Sequence, residues 1–127
     1  MSKFYRFTQT DGSTGATRRS HTAIPVIVEA VSAEAVAILW PGGYRATVSG
    51  TPMDVAVACS PEYVHAAEFV TFTGLAGGMP VVIHAAQVTG IESRVEMGAT
   101  RVQVYAGSIL VRESIDDVLA ALNGAKS

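Results

Sequence analysis

The sequence is poor in charge, in lysine and in cysteine, and each shortage closes off a class of function. Charged residues make up 16% of the 127 residues, against about a quarter in ordinary soluble domains. A formal net charge of −2 offers no basic face to displace phosphate counterions, so a nucleic-acid partner is not expected. The only lysines, Lys3 and Lys126, lie near the ends. Cys59 is the single cysteine, which excludes an internal disulfide and any cysteine cluster for zinc. Residues 1–12 hold no apolar stretch of the signal-peptide kind. The longest greasy segment, residues 24–40, is interrupted by Pro25, Glu29 and Glu34, so no membrane helix is expected. A cytoplasmic or particle-associated protein is the expectation.

Hydrophobic residues, at 49%, are ample for a packed core. A surface with so little charge suits a chain that buries part of it against partners, and equally a compact domain with a Thr- and Ser-rich surface. Alanine and valine are plentiful and arginine outnumbers lysine, a composition typical of a GC-rich bacterial or phage gene.

The chain reads as a diverged tandem duplication. Phe4-Tyr5-Arg6-Phe7-Thr8 resembles Phe69-Val70-Thr71-Phe72-Thr73, and Ile24-Pro25-Val26-Ile27-Val28 resembles Met79-Pro80-Val81-Val82-Ile83. Arg45-Ala46-Thr47-Val48 matches Arg101-Val102-Gln103-Val104, and Ser60-Pro61-Glu62-Tyr63-Val64 matches Ser114-Ile115-Asp116-Asp117-Val118. The blocks keep their order, and their spacing is nearly constant after the first. The first copy is longer by a polar, glycine-containing, basic loop over residues 11–22. Residues 1–67 and 68–127 are the two expected units.

The second copy has the cleaner signals. Residues 69–73 are aromatic and β-branched, hence a strand, and residues 74–78 are a glycine-rich turn. A phosphate cradle would need a helix directly afterwards, whereas Pro80-Val81-Val82-Ile83 continues as strand. Residues 88–93, 100–105 and 108–112 are further strands. In Arg101-Val102-Gln103-Val104-Tyr105 the alternation sets one face on a core and the other outward. Ser114 is the expected N-cap of a helix closed by Gly124, with Asp116 and Asp117 at its positive end. Ile115, Val118, Leu119 and Leu122 form its apolar stripe. In the first copy Ser60 is the expected cap, with Pro61 at the first helical position. Residues 29–39 are rich in Ala and Glu and could be helical by propensity; the repeat instead places a strand near residues 36–40.

Residues 80–84, 88–92 and above all Val111-Arg112-Glu113-Ser114-Ile115-Asp116-Asp117-Val118 are similar to the FlbD-like family of small flagellar and swarming-motility proteins. The resemblance covers the second copy and implies a few strands followed by a short helix. His84 stands where that family usually has asparagine, and the first copy lacks the Glu-Ser signature. The family has no catalytic residues to carry over.

No histidine or cysteine spacing suits a metal. His21, His65 and His84 fall on a loop, a helix end and a strand end. Cys59 follows the apolar run 55–58 and reads as a small core hydrophobe more than a nucleophile. Cofactor, metal and catalytic residues are therefore expected to be none. Four residues are candidate partner contacts. Arg18 and Arg19, in the basic loop, could pair with carboxylates or phosphate. Trp40 and Tyr44 flank a Pro-Gly-Gly turn and could anchor a contact, although a buried Trp at a strand end is equally ordinary. The expectation is an α+β, mostly β fold of two similar antiparallel-sheet units, each ending in a short helix and packed as a pseudo-twofold pair. The expected role is non-enzymatic: a homo-oligomeric structural or assembly component of a bacterial or phage particle. The alternative is a small regulator or inhibitor that binds its target through the Arg18–Arg19 loop.

Overall fold

The computed structural model describes residues 4–8, 14–18, 24–105 and 107–125, with backbone alone for the first two segments. Among the described residues the chain is mostly β with two α-helices and short 3₁₀ turns. The strands are β1 (Phe4–Thr8), β2 (Thr14–Arg18), β3 (Ile27–Ala30), β4 (Ala35–Leu39), β5 (Arg45–Ser49), β6 (Phe69–Thr73), β7 (Pro80–His84), β8 (Val88–Arg94), β9 (Ala99–Val104) and β10 (Gly107–Val111). Helix α1 (Pro52–Ala58) follows β5, and α2 (Ile115–Gly124) follows β10. No described helix is long and apolar enough to cross a membrane.

All strand pairing is antiparallel. A five-stranded sheet has the order β5-β4-β3-β7-β6, a three-stranded sheet the order β10-β9-β8, and β1 pairs with β2. The central strands β3 and β7 carry apolar runs because both of their faces are covered. Val81, Val82 and Ile83 are 2%, 1% and 0% exposed, and successive side chains enter opposite cores. On one face Val28, Val36, Ile38, Trp40, Phe69 and Val82 pack with Val55 and Ala56 of α1. On the other, Ile27, Leu39, Phe72, Val81 and Ile83 meet Val102 and Val104 of β9, Val111 of β10 and Val118 of α2. The alternation in β9 holds: Thr100, Val102 and Val104 are buried, while Gln103 and Tyr105 face outward.

The two sheets are joined at the β6–β7 turn. Gly74 bridges Val111, Leu75 N–H donates to the Leu110 carbonyl (3.0 Å), and Arg112 N–H donates to Thr73 (2.7 Å). Gly77 and Gly78 have φ of +78° and +64°, and a Cβ on Gly78 would lie 2.8 Å from the Arg112 guanidinium. That guanidinium donates in turn to the Leu75 carbonyl. The glycine-rich run is thus a turn, and its small residues admit an arginine clamp.

The Val111–Val118 motif is a fastening. Both Glu113 carboxylate oxygens accept from Thr73 N–H (2.9 and 3.0 Å), and one also accepts from the Thr73 hydroxyl (3.0 Å). The buried Thr100 hydroxyl donates to the Glu113 carbonyl at 2.8 Å. Ser114 caps α2 by accepting from Asp117 N–H at 3.2 Å.

Three expectations need correction. Strand order does not follow the division at residues 67/68, because β3 of the first half and β7 of the second are neighbours in one sheet. Of the matched repeat blocks, 4–8 and 69–73 are both strands and 24–28 and 79–83 both run into strands, whereas residues 45–48 lie in the last strand of a three-strand meander and residues 101–104 in the middle strand of one. Next, the first helix precedes Ser60. Thr51 and Pro52 are its N-cap and first residue, and Ser60 instead donates back to the Ala56 carbonyl at 2.6 Å. Proline suits a first helical position at either site, and the fit of Val55 and Ala56 in the core selects the earlier one. Lastly, the basic insertion is not all loop. Residues 14–18 form β2, which pairs along one edge with β1 in five register pairs.

Candidate functional site

Antiparallel order gathers several turns at one end of the molecule. The β4–β5 turn follows Leu39, Tyr105 follows the last residue of β9, and the 3₁₀ turn Ala85–Gln87 leads into β8, whose Val88 sits opposite Val104. Between them lies a groove of about 740 Å3 lined by Pro41, Gly42, Gly43, Ala86, Gln87, Thr89 and Tyr105. Gly42 and Gly43 have φ of +88° and +87°, so the turn that makes one wall depends on glycine. Among the described residues the lining holds no Asp, Glu, His, Cys, Lys or Arg, and its side-chain polar groups are those of Gln87, Thr89 and Tyr105. Tyr105 stands at the rim, 92% exposed.

A closed polar cluster supports this end. The Gln87 amide NH2 donates to the Ile24 carbonyl (3.3 Å) and to Nδ1 of His84 (3.4 Å). Nδ1 is therefore the lone-pair nitrogen, and Nε2–H donates to Glu68 at 3.3 Å. His84 is 4% exposed and tilts against the Phe69 ring at 5.0 Å. The second Glu68 oxygen accepts from the backbone N–H of His65 at 2.8 Å. That backbone bond lowers the Glu68 pKa; partial burial opposes it, and the His84 hydrogen bond adds to the lowering. Both histidine nitrogens are thus occupied inside the core, which makes His84 a supporting residue. Among the described residues no group of His, Cys, Asp and Glu is arranged to hold a metal ion.

The four contact candidates fare differently. Trp40 is 2% exposed and belongs to the α1-side core, so it is corrected from contact anchor to core residue. Its ring fills space that a strand end leaves beside a helix. Tyr44, half-exposed at 48%, tilts against Trp40 with ring centroids 5.4 Å apart, and it ends the turn that walls the groove. Arg18 is the last residue of β2, opposite Phe4. Arg19 and His21 lie outside the described residues. His65 is exposed and reaches Glu68 through its backbone, while Cys59 ends α1 and packs on the core. The sequence reading missed Tyr105, although strict alternation in β9 already pointed its side chain outward.

No family model, no curated protein and no solved structure matches the chain.

Proposed function

We propose that the protein is a non-enzymatic assembly component of a bacterial or phage particle, and that it makes protein–protein contacts through the groove end. The exposed Tyr105, at the rim of the groove, carries this reading. A tyrosine offers a large, rigid, amphipathic surface at low entropic cost, and tyrosines are enriched where interfaces concentrate their energy. Tyr44 extends the same surface from the adjoining turn, and the low charged fraction suits a face that a partner covers. Homo-oligomer formation is the form of assembly expected first.

Sedimentation of the purified protein and affinity capture from its native source test the reading together. Wild-type protein is expected to self-associate or retain a partner, and the Tyr44→Ala/Tyr105→Ala double variant to lose that association with its melting temperature within a few degrees. A strict monomer that captures nothing would sink the reading. Charge reversal at Arg18 and Arg19 is expected to leave the association intact; its loss there would favour a regulator acting through the basic segment.

A further inference from the structure

The face of the five-stranded sheet that meets the second sheet is not apolar throughout. Glu29 follows Ile27 on this face, with Ala37 and Thr47 beside it in register, and Arg45 ends the neighbouring row behind Leu39. Ser108 and Ile109 of β10 lie against this corner and enclose a cleft of about 140 Å3 lined by Ile27, Glu29, Ala37, Leu39, Arg45, Ser108 and Ile109. At roughly 30 Å3 per water, that is room for four or five water molecules. Glu29 and Arg45 face this one small space, yet among the described residues neither is in an ion pair. The cleft continues past Glu29, Ser108 and Ile109 into a groove of about 440 Å3, which adds Leu75, Ala76, Leu110 and Arg101 to the lining. Arg101, at that far end, is within 4.0 Å of Glu92.

We propose that this cleft binds a free α-amino acid with an apolar side chain. The Glu29 carboxylate accepts hydrogen bonds from the ammonium group, and the Arg45 guanidinium donates to the carboxylate. The ligand side chain runs along Ile109 toward Leu75. A simple anion would sit beside Glu29 and a simple cation beside Arg45, so each would meet one like charge. A compact zwitterion neutralises both walls, and charge-assisted hydrogen bonds at both ends fix its orientation. This binding site does not depend on the contact surface at the groove end.

Titration of backbone amide NMR signals with leucine, N-acetyl-leucine and leucinamide tests it. Leucine is expected to give saturable shifts at residues 29, 37, 45, 108 and 109. Each capped analogue, lacking one charge, is expected to bind about tenfold more weakly. Glu29→Gln should abolish the preference over N-acetyl-leucine and keep the preference over leucinamide; Arg45→Gln should do the reverse. If either variant fails to fold, the three ligands on the wild-type protein decide alone. The proposal is overturned by equal binding of the three, by shifts elsewhere, or by no saturable response up to about 20 mM.

Discussion

Strands β3–β5 with α1, and β8–β10 with α2, are each a three-strand meander followed by a helix, yet the chain uses them in opposite ways. The first meander lies within the larger sheet, where β3 takes β7 as a further neighbour and α1 covers one face. The second forms a sheet of its own on the opposite face, joined to the larger sheet through β6 and its turn by the 73–75 and 110–113 contacts. The helices differ in the same sense. At α1 the Thr51 hydroxyl donates to the Asp54 carboxylate at 2.9 Å, and no side chain caps the helix backbone. At α2, Ser114 caps and Glu113 fastens the preceding strand end to β6. One succession of elements therefore has two tertiary settings: the first held mainly by burial, the second also by directed hydrogen bonds.

Substitutions can break or sharpen this contrast. The largest effect is expected from Trp40→Ala, which empties the α1-side core and should cost about 3–5 kcal/mol in urea denaturation. Val118→Ala on the other face removes less volume and should cost roughly 2 kcal/mol; the reverse ranking would put the weight of the fold on the second meander. Glu113→Ala leaves the Thr73 N–H without its carboxylate partner and should cost about 2–3 kcal/mol, partly restored by glutamine. A loss below about half a kcal/mol would mean that the Glu113 carboxylate does not fasten the two sheets.

The caps separate the helices more finely. Ser114→Ala should cost about 1 kcal/mol, and Thr51→Ala only a few tenths, because the Thr51 side chain caps no backbone N–H. Equal costs would remove the distinction between them. The smallest effect concerns acid. The Glu68 pKa is lowered in the folded state, so its contribution is fully present above the ordinary carboxylate pKa. It is lost as pH falls through the lowered value. Glu68→Gln should therefore reduce the difference in stability between pH 7 and pH 3, read from melting temperatures, and an unchanged difference would contradict the His65 and His84 contacts.

Much of the second half was legible because its signals are local. The Phe69–Thr73 strand, the glycine-rich turn, the alternation of β9 and the Ser114 cap each depend on residues within a few positions of one another. The first half misled where competing local signals were close in strength. Thr51-Pro52 and Ser60-Pro61 offer the same cap-and-proline opening, and only the fit of Val55 and Ala56 against the sheet selects the former. The Ala- and Glu-rich stretch posed a similar choice, and there the strand expected near residues 36–40 is the one that forms. Ala35–Leu39 has fair helix propensity, but as a strand it places Val36 and Ile38 in one core and Leu39 in the other.

The candidate surfaces were less legible still. Trp40 and Tyr44 are four residues apart in one turn, and nothing local sends the first inward and leaves the second half-exposed. Glu29 and Arg45 stand on different strands, with Ser108 and Ile109 brought over them from the other sheet.

By itself the sequence determined a charge-poor, strand-rich chain, the place of each turn in its second half, and a capped final helix, because hydrophobic period and turn chemistry act over a few residues. Tertiary structure alone decided that β3 pairs with β7 across the two halves and that Glu113 binds Thr73. It also decided that Glu29 and Arg45 share one cleft. Those outcomes depend on which distant surfaces can be buried together, and a linear pattern of apolar residues permits many such pairings.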